Sequence, residues 1–335
     1  MVKESEAMFL IGAGASYPMG IPTMKEFTNS FEEKISTEYL LHSYYNRIKK
    51  KAKADEWDIE ELLGSLRSIL SIEKEMAFNI LELGYSEQYQ RFVKNNKNYY
   101  ETILKRLLNY IRQECTSYDR DMALALYKPL LDFSMEEKLH LFTTNYDSII
   151  EDVCVELNLD FEDGFIMHRC GGSIWDGKRL GSSSNINIYK LHGSVSWYLD
   201  KEKNEIFKEP RNLGETEKIR NMTIYPGEIK DAFHFPYDDL FSEFVRVLFS
   251  TKRCYVIGSS LRDKYLCDFL DVRLKQGDFT LALISPNAGR KKSKIFKRNR
   301  YVVSIDSRFQ EYVKDIGFVH QQIEKGGDLK STSMS

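Results

Sequence analysis

The chain has 335 residues, 42% hydrophobic and 29% charged, with a formal net charge of −2. That length and balance describe an ordinary globular protein able to bury a sizeable core, and they exclude one that coats nucleic acid through its overall charge. Five cysteines (Cys115, Cys154, Cys170, Cys254, Cys267) stand apart without a C-x-x-C pair. They point to reduced thiols in a cytoplasmic setting, not to a disulfide framework or a structural zinc. No apolar run reaches the roughly 18 residues a membrane span needs. The early charges Lys3, Glu4 and Glu6 argue against a cleavable signal peptide.

Ala7 to Ile11 is a short apolar run that stops at Gly12-Ala13-Gly14-Ala15-Ser16, the pattern of a buried strand feeding a tight turn. From Met24 to Ser134 the chain reads as helices. Ile103, Leu104, Leu107, Leu108 and Ile111 form one apolar face at helical period, and Leu62, Leu63, Leu66, Ile69 and Leu70 form another. The strand signal returns over Leu139 to Phe142, before Thr143-Thr144-Asn145-Tyr146-Asp147 and a helix that begins with Ile149, Ile150 and Val153. Gly171-Gly172-Ser173 and Gly181-Ser182-Ser183-Ser184 predict loop. Ile186 to Leu191 predicts a strand ending at His192-Gly193-Ser194, and the polar residues 199 to 221 predict an exposed excursion. A helix with Leu240, Phe241, Phe244, Val245, Leu248 and Phe249 inward follows. Cys254 to Ile257 then predicts a strand ending at Gly258-Ser259-Ser260, and Leu281 to Ile284 one ending at Ser285-Pro286-Asn287. Tyr301 to Ile305 predicts a last strand, and residues 326 to 335 a flexible tail.

The recurring feature is an apolar strand whose carboxyl end carries Gly, Ser, Asn, Asp or His. In a parallel α/β sheet ligands bind outside the carboxyl ends of the strands, so five such ends describe one site built from loops. Gly12-x-Gly14 fits a turn whose backbone can approach a pyrophosphate, although Tyr17 stands where a third glycine is customary. A strand followed by such a turn is equally often a plain tight turn.

Gly12 to Ser16 continues into Gly20-Ile21-Pro22, and the combined pattern GAGAS-x-x-x-GIP resembles the nucleotide loop of the sirtuin superfamily. Thr143 to Asp147 is similar to that family's T-Q-N-x-D motif, Lys190 to Ser194 to its x-L-H-G-S motif, and Gly258-Ser259-Ser260-Leu261 to its G-[TS]-S-L loop. Ser285 to Asn287 sits where the family places an adenosine-ribose contact. The resemblance implies an α/β fold: a Rossmann-like parallel sheet with a large helical insertion between the first strand and the TTNYD strand. The expected division is 1–24 with 138–325 as the NAD-binding catalytic domain and 25–137 as the insertion.

It also implies attack on the nicotinamide–ribose bond of NAD+, consumed as a substrate. By this resemblance Asn145 holds the ribose or the attacking water, and Asp147 orients the nicotinamide or braces the loop. His192 is the general base toward a ribose hydroxyl or a water. Gly12, Ala13, Gly14, Ala15, Ser16, Pro22, Thr144, Gly258, Ser259, Ser285 and Asn287 are the expected nucleotide contacts. Each has a structural alternative: His192 as a hydrogen-bonded histidine closing a strand, Asn145 and Asp147 as helix caps. His168 and His234 lie in less patterned loops and read as surface or structural.

Two departures bear on substrate class. Deacylating sirtuins follow the HGS block with two zinc-holding C-x-x-C pairs, whereas residues 195 to 235 contain no cysteine. Thr23-Met24-Lys25 replaces the family's Asp-Phe-Arg after GIP. Both favour an NAD+ glycohydrolase without zinc, resembling bacterial anti-phage effectors that deplete NAD+. The alternatives are a protein deacylase and a non-catalytic NAD or ADP-ribose sensor. Such an activity implies gating by homo-oligomerisation or by a partner, of which a HerA-type ATPase and an Argonaute-like protein are the kinds the resemblance implies. Arg290, Lys291, Lys292, Lys294, Lys297, Arg298 and Arg300 form a loop-like basic segment that suits nucleic acid, an acidic partner or the NAD+ phosphates, or is simply a solvated face.

Overall fold

A computed structural model describes residues 5–51, 57–79, 87–167, 172–181, 184–208, 219–223, 235–297, 299–317 and 320. The chain opens with β1 (Ala7–Ile11) and α1 (Ala13–Ser16), then runs through α2 (Met24–Ser36), α3 (Tyr39–Lys49), α4 (Ile59–Asn79) and α5 (Glu87–Thr116). After α6 (Arg120–Leu131) come β2 (Leu139–Thr143), α7 (Ile149–Glu156), β3 (Phe161–Glu162), β4 (Phe165–Met167) and β5 (Ser173–Trp175). β6 (Ile186–Lys190), β7 (Gly193–Asp200), β8 (Glu205–Lys208) and β9 (Ile219–Thr223) follow, then α8 (Tyr237–Ser250) and β10 (Arg253–Ile257). The chain continues with α9 (Lys264–Leu274), β11 (Thr280–Ile284), α10 (Ala288–Ile295), β12 (Val302–Ile305) and α11 (Phe309–Tyr312). The described residues fall into two units, the smaller holding α2 to α5 and the larger everything else.

The larger unit is built on a seven-stranded sheet in the order β12-β11-β10-β1-β2-β6-β3, with every pairing parallel. This is the α/β, Rossmann-like architecture the sequence predicts. Parallel strands need crossovers, which cover both faces, so the central strands are largely apolar and buried. All five residues of β1 and of β2 are buried. Side chains alternate between faces. Met8 and Leu10 join Phe142, Phe244, Leu248 and Leu270 in one core, while Phe9 stacks on Tyr255 with ring centroids 5.1 Å apart.

A second sheet, five-stranded in the order β4-β5-β8-β7-β9, is antiparallel in every pairing. It replaces the loop expected through Ser173 and part of the exposed excursion expected over 199 to 221, because Trp175 and Ile206 bury against the same core as α8; Lys201 to Glu205 are exposed as expected, and residues 209–218 lie outside the described residues. In α8 Val247 is buried and Phe249 lies outward at 38% exposure, which corrects the predicted inward set by one position. The basic segment also differs from expectation. Ala288–Ile295 is a helix whose buried Ala288 faces the sheet, so Arg290 to Lys294 are spread around a helix and not along a loop. His168, Cys170, Gly171, Ser182, Ser183, His234, Arg298 and the 326–335 tail lie outside the described residues.

In the smaller unit Thr23 and Glu26 form a capping box that starts α2: Glu26 Oε2 accepts from Thr23 N–H at 2.9 Å and Thr23 Oγ1 accepts from Glu26 N–H at 3.5 Å. Phe27, Phe31, Tyr45, Ile103 and Leu107 are buried, and Phe27 meets Tyr110 edge-on at 5.7 Å. Ile103, Leu107, Leu108 and Ile111 are buried, whereas Leu104 is only half-buried. No described helix is long and apolar enough to cross a membrane.

Candidate active site

Parallel pairing of β6, β2, β1, β10 and β11 as consecutive neighbours brings five carboxyl ends to one edge of the sheet. Backbone hydrogen bonds continue past the strands and stitch the loops together. Thr144 N–H donates to Ile11 O (3.1 Å), Leu191 N–H to Thr143 O (2.9 Å), Gly12 N–H to Ile257 O (2.9 Å) and Gly258 N–H to Ile284 O (2.9 Å). The motifs at 12–16, 143–147, 192–194, 258–260 and 285–287 therefore line one edge. Pro22 is the first residue assigned to the smaller unit.

The glycines of the first loop pack closely against a neighbouring strand-end loop. Gly14 lies in α1 with an ordinary helical backbone, and its N–H donates to Gly258 O at 2.9 Å. A Cβ at Gly14 would sit 2.8 Å from that same oxygen, and one at Gly12 would sit 2.6 Å from Ser259 Cα. Gly258, at φ +64°, would place a Cβ 2.4 Å from Ala15 N. Three glycines let two strand-end loops touch backbone to backbone.

At the heart of the edge, Ser16, Asn145 and Asp147 form a buried chain. Asn145 Nδ2 donates to Ser16 Oγ (2.9 Å), and Ser16 Oγ donates to Asp147 Oδ2 (2.8 Å). Asn145 is no helix cap: Ser148 holds that position at the start of α7. Asp147 does brace the helix, since its Oδ1 accepts from Ile149 N–H at 3.2 Å. Burial pushes the Asp147 carboxyl above the ordinary range, opposed by Lys190 and by the Ser16 and Ile149 hydrogen bonds.

Lys190, two residues before His192, is 1% exposed and donates to the Asp147 carbonyl oxygen. Its Nζ lies 3.6 Å from Glu151 Oε1 on α7, and Lys208 pairs with Asp163 at 2.6 Å nearby. Sequence reasoning missed this buried charge set. A lysine inside the apolar run Ile186 to Leu191 was its one visible signal, because a buried cation needs a partner.

His192 is 6% exposed, and its Nε2 lies 3.0 Å from Asp263 Oδ2. Asp263 is the N-cap of α9, accepting at Oδ1 from Tyr265 N–H (2.9 Å) and Leu266 N–H (3.2 Å). Burial works against its charge, but the His192 contact and the two backbone N–H donors hold the Asp263 carboxyl below its usual range. At the far end of the edge Lys291 bridges two of the predicted loops, donating to Ser259 O (2.8 Å) and Ser285 Oγ (2.9 Å). Asn287 adopts a left-handed backbone at φ 65°, which asparagine tolerates better than most residues. Burial pushes the Cys154 and Cys267 thiols up to about 12, so neither is a nucleophile near neutral pH.

This edge can therefore offer a carboxylate-paired imidazole beside a serine–amide–carboxylate chain, with a lysine further along. No curated protein matches the chain. Residues 139–305 match the family model described as a SIR2-like domain, which supports the sirtuin-like superfamily for this chain and suggests NAD-related activity.

Proposed function

We propose that the chain is an NAD+ glycohydrolase, cleaving NAD+ with water to nicotinamide and ADP-ribose. One observation carries the reading: a buried His192 paired with Asp263 and the Asn145–Ser16–Asp147 chain share one edge of a parallel sheet, within a chain whose residues 139–305 match a SIR2-like domain. Nicotinamide leaves a cationic precursor as a neutral base, so the leaving group needs no proton. The demand falls on the nucleophile, which must be held and deprotonated as positive charge grows on the ribose.

Asn145 suits the holding role, because Ser16 fixes its amide nitrogen and so sets which way the amide faces. Asp147 keeps that serine in place and ties the loop to α7. His192 accepts the proton. The cysteine-free stretch from 195 to 235 favours hydrolysis over acyl-lysine transfer. We further propose that the enzyme depletes NAD+ in defence, restrained until homo-oligomerisation or a partner protein releases it.

The test is nicotinamide release by the purified protein, alone and with the product of the neighbouring gene. Asn145→Ala and His192→Ala should each abolish most of the release while still binding ADP-ribose. Release at the parental rate in both variants would contradict the reading.

A further inference from the structure

Asp263 has both carboxylate oxygens committed. Oδ1 caps α9 through two backbone N–H groups, and Oδ2 meets His192 Nε2 at 3.0 Å. An ionised carboxylate only accepts hydrogen bonds, so the contact requires a proton on Nε2. In the neutral ring Nδ1 then carries the lone pair and is the nitrogen able to take a proton. The carboxylate is itself fixed: α9 is anchored by the buried Leu266, Leu270 and Leu274. Capping alone would occupy one oxygen, and the second is spent on the imidazole. Cys267 on the same helix is kept protonated by burial and by the nearby charges of Asp263 and Asp268, so it does not compete for the histidine.

We propose that Asp263 is a positioning residue for catalysis: it holds His192 as the Nε2–H tautomer, leaves Nδ1 as the proton acceptor, and stabilises the imidazolium once formed. The inference rests on the reading of His192 as general base. In the step it serves, an O–H bond of the attacking water breaks and an N–H bond forms at Nδ1. The freed pair on oxygen bonds the ribose carbon, and the C–N bond breaks with its electrons leaving on nicotinamide. Nothing is oxidised or reduced.

Asp263→Asn is the informative change, because the amide oxygen can still cap α9 while the amide N–H donates to Nε2 and drives the proton to Nδ1. Thermal stability and ADP-ribose affinity should stay near the parent's. Turnover should fall by about 10²–10⁴, the range for losing a positioned acid–base group. Asp263→Ser keeps a helix cap but drops the imidazole contact. It should lose less turnover, since the ring is no longer forced into the wrong tautomer.

A second measurement needs no turnover. Long-range ¹H–¹⁵N spectra of ¹⁵N-histidine-labelled full-length protein, assigned with His192→Gln, should show Nε2–H in the parent and Nδ1–H in Asp263→Asn. If the parent shows Nε2–H but cleaves no NAD+ under any condition, the hydrolase reading fails while the tautomer assignment stands. An Nδ1–H form in the parent, or parental turnover in Asp263→Asn, overturns the proposal.

Discussion

Replacing Gly258 by alanine tests the packing of the two strand-end loops. At φ +64° an L-residue costs roughly 1–2 kcal/mol relative to glycine. The new Cβ would also lie 2.4 Å from Ala15 N and 2.7 Å from Gly14 C, both backbone atoms that cannot rotate away. Forcing a methyl into such a contact typically adds about 1–3 kcal/mol. The sum is about 2–5 kcal/mol, or roughly 5–15 °C of melting temperature at the scale appropriate to a unit of this size. Gly20→Ala is the internal control. Gly20 also has a positive φ, +93°, but nothing lies within 4 Å of its added Cβ, so only the conformational cost of about 1–2 kcal/mol applies. Urea and thermal unfolding of both variants beside the parent give the difference directly. A Gly258→Ala protein no less stable than Gly20→Ala would refute the close backbone contact.

Lys190→Met should destabilise the protein by about 3–5 kcal/mol in urea unfolding, because it leaves the buried Glu151 carboxylate without its nearest cation. An effect under about 1 kcal/mol would contradict that ion pair. Acid should also destabilise the protein through His140, whose pKa is lowered to about 4 by burial and by the charges of Lys138 and Arg246. The unfolded chain takes up this proton near pH 6.5 and the folded one only near 4. Stability present above pH 6.5 is therefore lost as pH falls between those values, by about 3 kcal/mol in full. Removing the ring in His140→Phe should flatten that part of the stability–pH curve, and an unchanged slope would count against it. His192→Ala should leave the fold intact and lower turnover by about 10²–10⁴ under activating conditions.

The parallel sheet was legible because its central strands are short apolar runs, buried on both faces, each closed by polar or glycine residues; Ala7–Ile11 is read to the residue. The antiparallel sheet was not. Its strands β4, β5 and β8 are short and partly exposed, β4 carrying Ile166 and Met167 outward, so neither alternation nor a continuous run marks them. The helix at 288–295 hid behind its charges, since Ala288 is its one fully buried residue. His192 stood out through its Gly-Ser setting, whereas its partner is 71 residues away and looks like an ordinary helix cap between Arg262 and Lys264. Pairing of that kind belongs to the folded sheet edge, where β1 and β2 stand between β6 and β10.

The most direct test of the central claim is the product balance from NAD+ alone. Purified protein, with any partner needed for release of activity, is incubated with NAD+ and no acylated peptide, and both products are quantified by chromatography. The hydrolase account predicts nicotinamide and ADP-ribose in equal amounts, at a rate unchanged by adding acetyl-lysine peptide and lost in His192→Ala. Nicotinamide that appears only when the peptide is present, accompanied by an acylated ADP-ribose, would contradict it.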